Sequence, residues 1–212
     1  FFDADNDGDK DLVLGAWDVA NNGQPSLLLF NDGAGHFSEN AKSFAIQPIP
    51  NFGGSGHGST IEDIQAVDVN GDGAIDVVTS DNISENGVTL STMRIFLNDG
   101  HGNLTDASSQ LFLDSPLNSG FILSRIRAVD INSDGSPDLL GYVQNHRVFF
   151  INDGTGHFKA TTADFLADTD FGPGDDPSLR FAVPSVGDIN GDGRVDFIGG
   201  NGHLVGTSQD YL

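Results

Sequence analysis

Short hydrophobic runs alternate with turn-forming residues along the whole chain. One run ends at Val67, a second, DVVTS, begins at Asp76, and a third, TMRIFL, begins at Thr92. An Asn-Asp-Gly sequence follows the third run, and this tripeptide supplies the left-handed positions that tight β-hairpins need. The pattern therefore predicts a unit of four short antiparallel strands, A to D in chain order.

The predicted unit recurs. Each A strand is followed by a row of acidic and amide residues, and successive rows begin 65, 62 and 58 residues apart. The rows begin at Asp3, Asp68, Asp130 and Asp188. The Asn-Asp-Gly turn recurs in phase, in LLLFNDGAGHF from Leu27, RIFLNDGHGNL from Arg94 and VFFINDGTGHF from Val148. A fixed period of this length indicates a repeat array, in which one unit is too small to bury its own faces.

Four-stranded antiparallel units of this kind form the blades of β-propellers, whose rings usually hold about four to eight blades. We therefore expect an all-β propeller built from one continuous array over residues 1–212. The predicted blades cover approximately residues 1–38, 62–106, 125–160 and, for a partial blade, 181–212. With about three and a half blades present, we expect a fragment of a larger ring rather than a closed four-bladed ring, which would lack its last strand.

The acidic rows have the chemistry of a cation site. Numbered from its first Asp, each row has oxygen-bearing side chains at positions 1, 3, 5 and 9 and a glycine at position 6. Alternate oxygens on a turning loop can converge on one hard cation, and the glycine lets the position 7 carbonyl turn inward. An all-oxygen ligand set in a small flexible loop suits Ca²⁺ better than Mg²⁺.

The sequence therefore predicts up to four Ca²⁺ sites. Their ligands, with the position 7 residue contributing its carbonyl, are Asp3, Asp5, Asp7, Asp9 and Asp11; Asp68, Asn70, Asp72, Ala74 and Asp76; Asp130, Asn132, Asp134, Ser136 and Asp138; and Asp188, Asn190, Asp192, Arg194 and Asp196.

The rows differ from the loops of helical Ca²⁺-binding proteins. An EF-hand needs a Glu at position 12 between two helices, whereas position 12 here is Leu14, Thr79, Gly141 or Gly199 and the flanks are strand-like. A dockerin-type pair of loops between helices is disfavoured on the same ground. Asp-Gly and Asn-Gly sequences can also be plain turns, but four copies in register favour a shared ligand.

Composition narrows the class of partner. The net charge is -22 with nine Lys and Arg, which argues against nucleic acid and against an anionic membrane surface. No apolar run approaches the roughly 20 residues that span a bilayer. The chain has no cysteine, and its 37% hydrophobic content with sixteen Phe favours a folded protein over a disordered one. The opening on Phe1, with no initiator Met or signal-like segment, suggests a piece of a longer protein.

The motifs also resemble a known family. The row DxDxDGxxD, or DxNxDGxxD in the other three copies, followed by a strand and an NDGxGxF-type turn, resembles the FG-GAP and VCBS repeats of integrin-α-like propellers. The resemblance implies a propeller, commonly of seven blades, with Ca²⁺ in the A–B hairpin loops. It also implies a secreted or cell-surface protein with a role in adhesion or in glycan or protein recognition.

Recognition is expected on the face opposite the Ca²⁺ loops. The predicted B–C and D–A loops there are long and unlike one another, and variable loops on a rigid scaffold are where binding residues concentrate. These loops are residues 16–25, 80–90, 38–63, 107–124 and 161–180. The candidate ligand-binding residues are Trp17, Asp18, Asn21, Asn22, His57, Phe171 and Asp175.

Three functions remain open. The leading hypothesis is a non-enzymatic, Ca²⁺-stabilised extracellular module that binds an unidentified glycan or protein. A secreted polysaccharide lyase or hydrolase with its active site on the same face is the alternative, although no catalytic residue can be assigned, and a solvated turn is favoured for Asp175 and Asp176 over an acid and base pair. A purely structural spacer is the third.

Overall fold

A computed structural model describes residues 1–15, 26–39, 58–85, 88–108, 112–114, 123–143, 146–161, 185–192 and 194–198. These residues form fourteen β-strands in four sheets. No helix among them is long and apolar enough to cross a membrane. The predicted all-β class and antiparallel pairing are confirmed for this part of the chain.

Each sheet corresponds to one predicted repeat. The first contains β1 (Leu12–Leu14), β2 (Leu27–Asn31) and β3 (Phe37–Glu39) in that order. The second is a four-stranded antiparallel meander of β4 (Gly58–Val67), β5 (Asp76–Glu85), β6 (Val88–Asn98) and β7 (Leu104–Asp106). The third contains β8 (Phe112–Asp114), β9 (Leu123–Val129), β10 (Asp138–Val143), β11 (His146–Asn152) and β12 (Phe158–Thr161). The fourth pairs β13 (Ser185–Gly187) with β14 (Asp196–Ile198).

Every acidic row is the loop of an antiparallel A–B hairpin. In each, the residue before the row pairs with the Asp at position 9. The four pairs are Phe2 with Asp11, Val67 with Asp76, Val129 with Asp138 and Gly187 with Asp196. The rows therefore occupy the same structural position in all four repeats.

The expectation of long B–C and D–A loops is wrong in part. Residues 80–90 were expected to form a loop, but β5 continues to Glu85 and β6 begins at Val88, with those two residues paired. Between them the sequence has Asn-Gly, the dipeptide that favours two-residue hairpin turns. β4 likewise begins at Gly58, inside the loop expected over residues 38–63. The pairing of β5 with β6 is regular to the turn, whereas that of β4 with β5 shifts register between Ile61 and Asp63.

The predicted loop over residues 107–124 also contains a strand. β8 pairs in parallel with β12 at the edge of the third sheet, beyond the four strands of the meander. An edge strand presents unpaired backbone groups, and β8 satisfies some of those of β12. The connection from the second repeat thus becomes a fifth strand of the third sheet.

The hydrophobic core lies between successive sheets. Phe2, Ala4 and Leu28 of the first repeat pack with Val77 and Phe96 of the second. A larger cluster joins the second and third repeats, and its members are Val69, Val78, Met93, Ile95, Ala107, Ile126, Leu139, Phe150 and Phe158. Because strand residues alternate between faces, one sheet serves both clusters, as the repeat pattern predicts.

Candidate metal centres

The Asp at position 1 organises each row by accepting backbone N–H groups from the same loop. Asp3 accepts from Asp7 at 3.1 Å and from Gly8 at 3.0 Å. The corresponding bonds in the second row join Asp68 to the N–H groups of residues 71, 72 and 73, at 2.8 to 3.2 Å. The third and fourth rows have the same type of bond. These bonds curl the loop and bring the two ends of each row together.

The Asp at position 5 makes a second bond that is common to all four rows. Its Oδ1 accepts the N–H of position 7, at 2.9 Å from Asp9, 2.8 Å from Ala74 and Ser136, and 2.9 Å from Arg194. Each bond is an Asx turn, which fixes the backbone around the residue whose carbonyl is the predicted ligand. The ligand role of these four carbonyls stays a prediction.

Sequence reasoning identified the glycine at position 6 but missed a second left-handed position. Gly8, Gly73 and Gly135 have φ between 89° and 97°, as expected for position 6. Position 4 also has positive φ in every row, and it is glycine in only two of them; Asn6 and Ser133 both have φ of 61°. The signal was the Asn, Gly, Ser and Gly at this position, which are small turn residues.

The first row brings three carboxylates together. Oxygens of Asp3, Asp5 and Asp11 all lie within 4.8 Å of one another. Oδ1 of Asp5 is buried and has no hydrogen-bond partner. Burial raises the pKa of Asp5, and repulsion from Asp7 and Asp11 raises it further. A cation among these oxygens would satisfy the orphan atom and remove the repulsion.

The other three rows carry an amide where the first has Asp5. Nδ2 of that Asn donates to the Asp at position 5, from Asn70 at 2.9 Å, from Asn132 at 2.7 Å and from Asn190 at 3.2 Å. The amide oxygen accepts the position 5 N–H in the same rows. Thus the internal bonds of these loops offset part of the carboxylate repulsion that the first row retains.

The Asp at position 9 is buried, although its place in the motif does not distinguish it from the other predicted ligands. Asp11, Asp76 and Asp138 are each 0% exposed. In every case one oxygen accepts the position 2 N–H, at 2.7 to 3.0 Å, and the other accepts the N–H of the Asn in the Asn-Asp-Gly turn, at 2.8 to 2.9 Å. Each oxygen keeps a second lone pair, so coordination of a cation remains chemically feasible.

The buried position raises the pKa of this carboxyl. Burial raises the pKa of Asp76 to about 6, and the N–H groups of Asn98 and Val69 offset part of that effect. Burial raises the pKa of Asp138 as well. By contrast, the Ser136 N–H lowers the pKa of the exposed Asp134. The carboxylates of one row therefore differ in how easily they take up a proton.

The turn asparagines make hydrogen bonds to the acidic rows, although sequence reasoning treated them only as turn formers. Asn31, Asn98 and Asn152 each donate Nδ2 to the carbonyl of position 8 in their own repeat, at 3.2, 3.0 and 3.0 Å. Asn98 and Asn152 also reach the preceding repeat, where Nδ2 donates to the carbonyls of Ala4 and Val69, at 2.8 Å each. Their strict phase with the acidic rows was the available signal.

The histidines of the turns fall outside this arrangement, and the candidate ligand-binding residues fall outside the described residues. His36, His101 and His157 lie in the turns, where each has Nδ1 within 4.0 Å of the turn Asp. The seven ligand-binding candidates, Trp17, Asp18, Asn21, Asn22, His57, Phe171 and Asp175, lie outside the described residues. Asp196 begins β14, but its side chain is not among those described.

Comparison with known proteins agrees with the repeat structure. A family model described as FG-GAP-like repeat matches residues 3–79, 68–141 and 130–199. Each match runs from one acidic row into the next, which is the period found in the sheets. No curated protein matches the chain significantly.

Proposed function

The chain belongs to the FG-GAP-like repeat family, and from this membership and the geometry of the rows we propose a β-propeller module whose acidic loops bind Ca²⁺. FG-GAP repeats are typical of propeller-type binding modules. One observation carries the metal proposal: oxygens of Asp3, Asp5 and Asp11 converge within 4.8 Å, in a loop whose hairpin position recurs in all four repeats.

The ligand chemistry fits Ca²⁺ in particular. The row side chains offer oxygen ligands only, and the loops are short and curled by their own backbone N–H groups. Mg²⁺ demands a near-ideal octahedron and keeps its water ligands, whereas Ca²⁺ accepts six to eight oxygens in variable geometry. The residues that would hold the ion are those at positions 1, 3, 5 and 9, with the position 7 carbonyl.

Such sites would be structural. With dissociation constants of about 0.1 to 1 mM, roughly 1 mM Ca²⁺ stabilises the folded state by about 0.4 to 1.4 kcal/mol per site. Four sites together supply about 2 to 6 kcal/mol, a large share of the roughly 5 to 15 kcal/mol that keeps a domain folded. Cytosolic Ca²⁺ is far below these constants, so we propose an extracellular location, on a secreted or cell-surface protein.

We further propose that the module recognises a glycan or a protein through the loops opposite the acidic rows. Support comes from the uniformity of the acidic rows, where the Asp residues at positions 1 and 5 accept the same kinds of backbone N–H in all four repeats, which suits a scaffold better than a specificity surface. Further repeats of the same kind would complete the ring. Trp17, Phe171 and Asp175 are the first positions to test on a glycan array and in protein pull-downs.

The metal proposal is tested by thermal unfolding of the chelator-treated chain, with Ca²⁺ or Mg²⁺ added back. We expect about 1 mM Ca²⁺ to raise the melting temperature by several degrees, and Mg²⁺ to raise it less. Asp3→Ala removes one ligand of the first row and should lower the Ca²⁺-dependent increase by at least roughly a quarter, since one site of four is lost.

Asp32→Ala is the matched control. Asp32 is an exposed carboxylate that accepts backbone N–H groups in a turn, as Asp3 does, but it lies in an Asn-Asp-Gly turn rather than in a row. It should leave the Ca²⁺-dependent increase unchanged. Equal melting temperatures with chelator and with Ca²⁺ would overturn the proposal.

A further inference from the structure

A continuous chain of hydrogen bonds joins three of the acidic rows. Within the first row the N–H of Ala4 donates to Asp11, and the carbonyl of Ala4 accepts Nδ2 of Asn98 in the second repeat, at 2.8 Å. The backbone N–H of Asn98 then donates to Asp76, at 2.8 Å. Asp76 also accepts the N–H of Val69 at 3.0 Å, which brings the chain into the second row.

The same sequence of bonds leads from the second row to the third. The carbonyl of Val69 accepts Nδ2 of Asn152 at 2.8 Å, and the N–H of Asn152 donates to Asp138 at 2.8 Å. Asp138 accepts the N–H of Ile131 at 2.9 Å. Two asparagines therefore provide the two steps of this chain that pass from one repeat to the next.

This series of hydrogen bonds runs through the interior of the protein. Asn98 and Asn152 are 3% and 1% exposed, and Ala4 and Val69 are 0% and 1% exposed. Water cannot readily replace hydrogen bonds at such positions. The carbonyl of Ala4 also accepts the N–H of Gly102 at 2.9 Å, so loss of the Asn98 side chain weakens this contact between the repeats without removing it entirely. The side chains of Ala4 and Val69, at position 2, also pack in the hydrophobic clusters between the sheets. The neighbouring repeat therefore holds each of these residues both by a hydrogen bond and by apolar packing.

We propose that Asn98 and Asn152 couple cation binding in one row to the docking, and hence to the cation affinity, of the next. The proposal rests on the proposed Ca²⁺ function. A cation bound to the position 9 carboxylate fixes that carboxylate in place. The same carboxylate accepts the N–H of position 2, and the carbonyl of position 2 is the acceptor that the asparagine of the next repeat must reach. Binding in one row therefore favours the docked position of the next asparagine, whose N–H holds the next position 9 carboxylate.

Coupling of this kind is reciprocal and predicts positive cooperativity. A Ca²⁺ titration of the chelator-treated full chain should give a Hill coefficient above one. Asn98→Ala should reduce that coefficient and weaken binding in the first row by about five-fold, the lower end of ordinary coupling.

Asn31→Ala is the matched control, because Asn31 donates Nδ2 to Lys10 and its N–H to Asp11 within its own repeat, with no bond to another repeat among the described residues. This variant loses the same bond to the position 8 carbonyl and should keep the Hill coefficient of the unaltered chain. A merely structural role for Asn98 would lower stability without changing cooperativity.

The outcomes separate the two proposals. If no Ca²⁺ binds to the unaltered chain, the proposed function and the coupling both fall. If Ca²⁺ binds with a Hill coefficient of one, and Asn98→Ala and Asn31→Ala change affinity equally, only the coupling falls.

A second variant covers the case in which Asn98→Ala does not fold. Asp68→Ala removes a partly exposed ligand of the second row and leaves both asparagines intact. Coupled rows predict that the remaining sites then bind Ca²⁺ several-fold more weakly. Unchanged affinity at those sites would overturn the coupling.

Discussion

The two faces of the second sheet meet their neighbours in different ways. The face toward the first repeat carries Val77 and Phe96 near the acidic row, and Thr79, Asp81 and Arg94 on the same face beyond them. The face toward the third repeat carries Val78, Met93 and Ile95 in the larger hydrophobic cluster. Asn98 and Asn152 make the same inter-repeat bond at both interfaces, whereas the packing farther from the acidic rows differs between them.

The polar part of the face toward the first repeat is a buried ion pair within the second sheet. Oδ2 of Asp81 lies 3.3 Å from Nε of Arg94 and accepts the Thr79 hydroxyl at 3.2 Å, while Arg94 also reaches Asp106 at 3.2 Å. Oδ1 of Asp81 is buried without a hydrogen-bond partner. A buried pair with an unsatisfied oxygen adds little net stability, so this interface depends more on the asparagine bond and the apolar residues near it.

The largest effect is expected from truncation of the apolar interface. Phe150 is fully buried in the cluster between the second and third repeats. Phe150→Ala should lower the free energy of unfolding by about 3 to 5 kcal/mol, because apolar contact is lost and a cavity remains. Urea denaturation measures this loss of unfolding free energy, and the loss should be the same at each pH tested. A loss below about 1 kcal/mol would mean that the sheets do not pack through this cluster.

The ion pair should make the first interface sensitive to pH. Burial raises the pKa of Asp81 to about 7, and the charge of Arg94 offsets only part of that effect. A carboxyl whose pKa is higher in the folded state stabilises the fold fully below its unfolded pKa of about 4 and loses that contribution as the pH rises through about 7. Asp81→Asn should remove this pH dependence of the unfolding free energy, whose total size is a few kcal/mol at most.

The measurement is the difference in unfolding free energy between the unaltered chain and Asp81→Asn, from about pH 4 to about pH 8 with chelator present. The difference should change across that interval and level off toward about pH 8. A difference that stays constant with pH would show that Asp81 is charged throughout. Phe150→Ala serves as the comparison variant, since its effect should not follow pH.

The smallest effect is expected within the acidic rows. Ser133 holds φ of 61° at position 4, which costs a non-glycine residue about 1 kcal/mol. Ser133→Gly should therefore raise the unfolding free energy by roughly 0.5 to 1 kcal/mol. Asn6→Gly should gain less, because Asn tolerates this conformation and its Nδ2 donates to the carbonyl of Gly100 in the second repeat, at 3.3 Å. Denaturant midpoints of the two variants in chelator give the comparison.

Local patterns predicted the parts of the fold that depend on local chemistry. The phase of the acidic rows and the Asn-Asp-Gly turns placed the A–B hairpins and the strands around them, and hydrophobic runs such as DVVTS marked β5. The extension of β5 to Glu85 was missed because Asn82 and Ser84 are polar and do not continue the hydrophobic run, whereas the structure pairs both residues with β6.

Features that depend on distant residues could not be predicted from one repeat. The bond from Asn98 to Ala4 joins residues far apart in sequence, and nothing within either repeat specifies it. The parallel pairing of β8 with β12 is equally non-local. Asp76 and Asp138 are buried, and one oxygen of each accepts the N–H of a turn asparagine outside the row, so nothing in the row itself distinguishes them from the exposed carboxylates.

Binding of Ca²⁺ by the acidic rows, with the stabilisation of the array that follows from it, underlies the proposed function. Calorimetric titration of Ca²⁺ into the chelator-treated full chain measures that binding without any variant. We expect saturable heat with a stoichiometry approaching four ions per chain, one for each row, and a higher unfolding temperature at the end of the titration. The absence of saturable heat at millimolar Ca²⁺, with an unchanged unfolding temperature, would show that the rows are not Ca²⁺ sites.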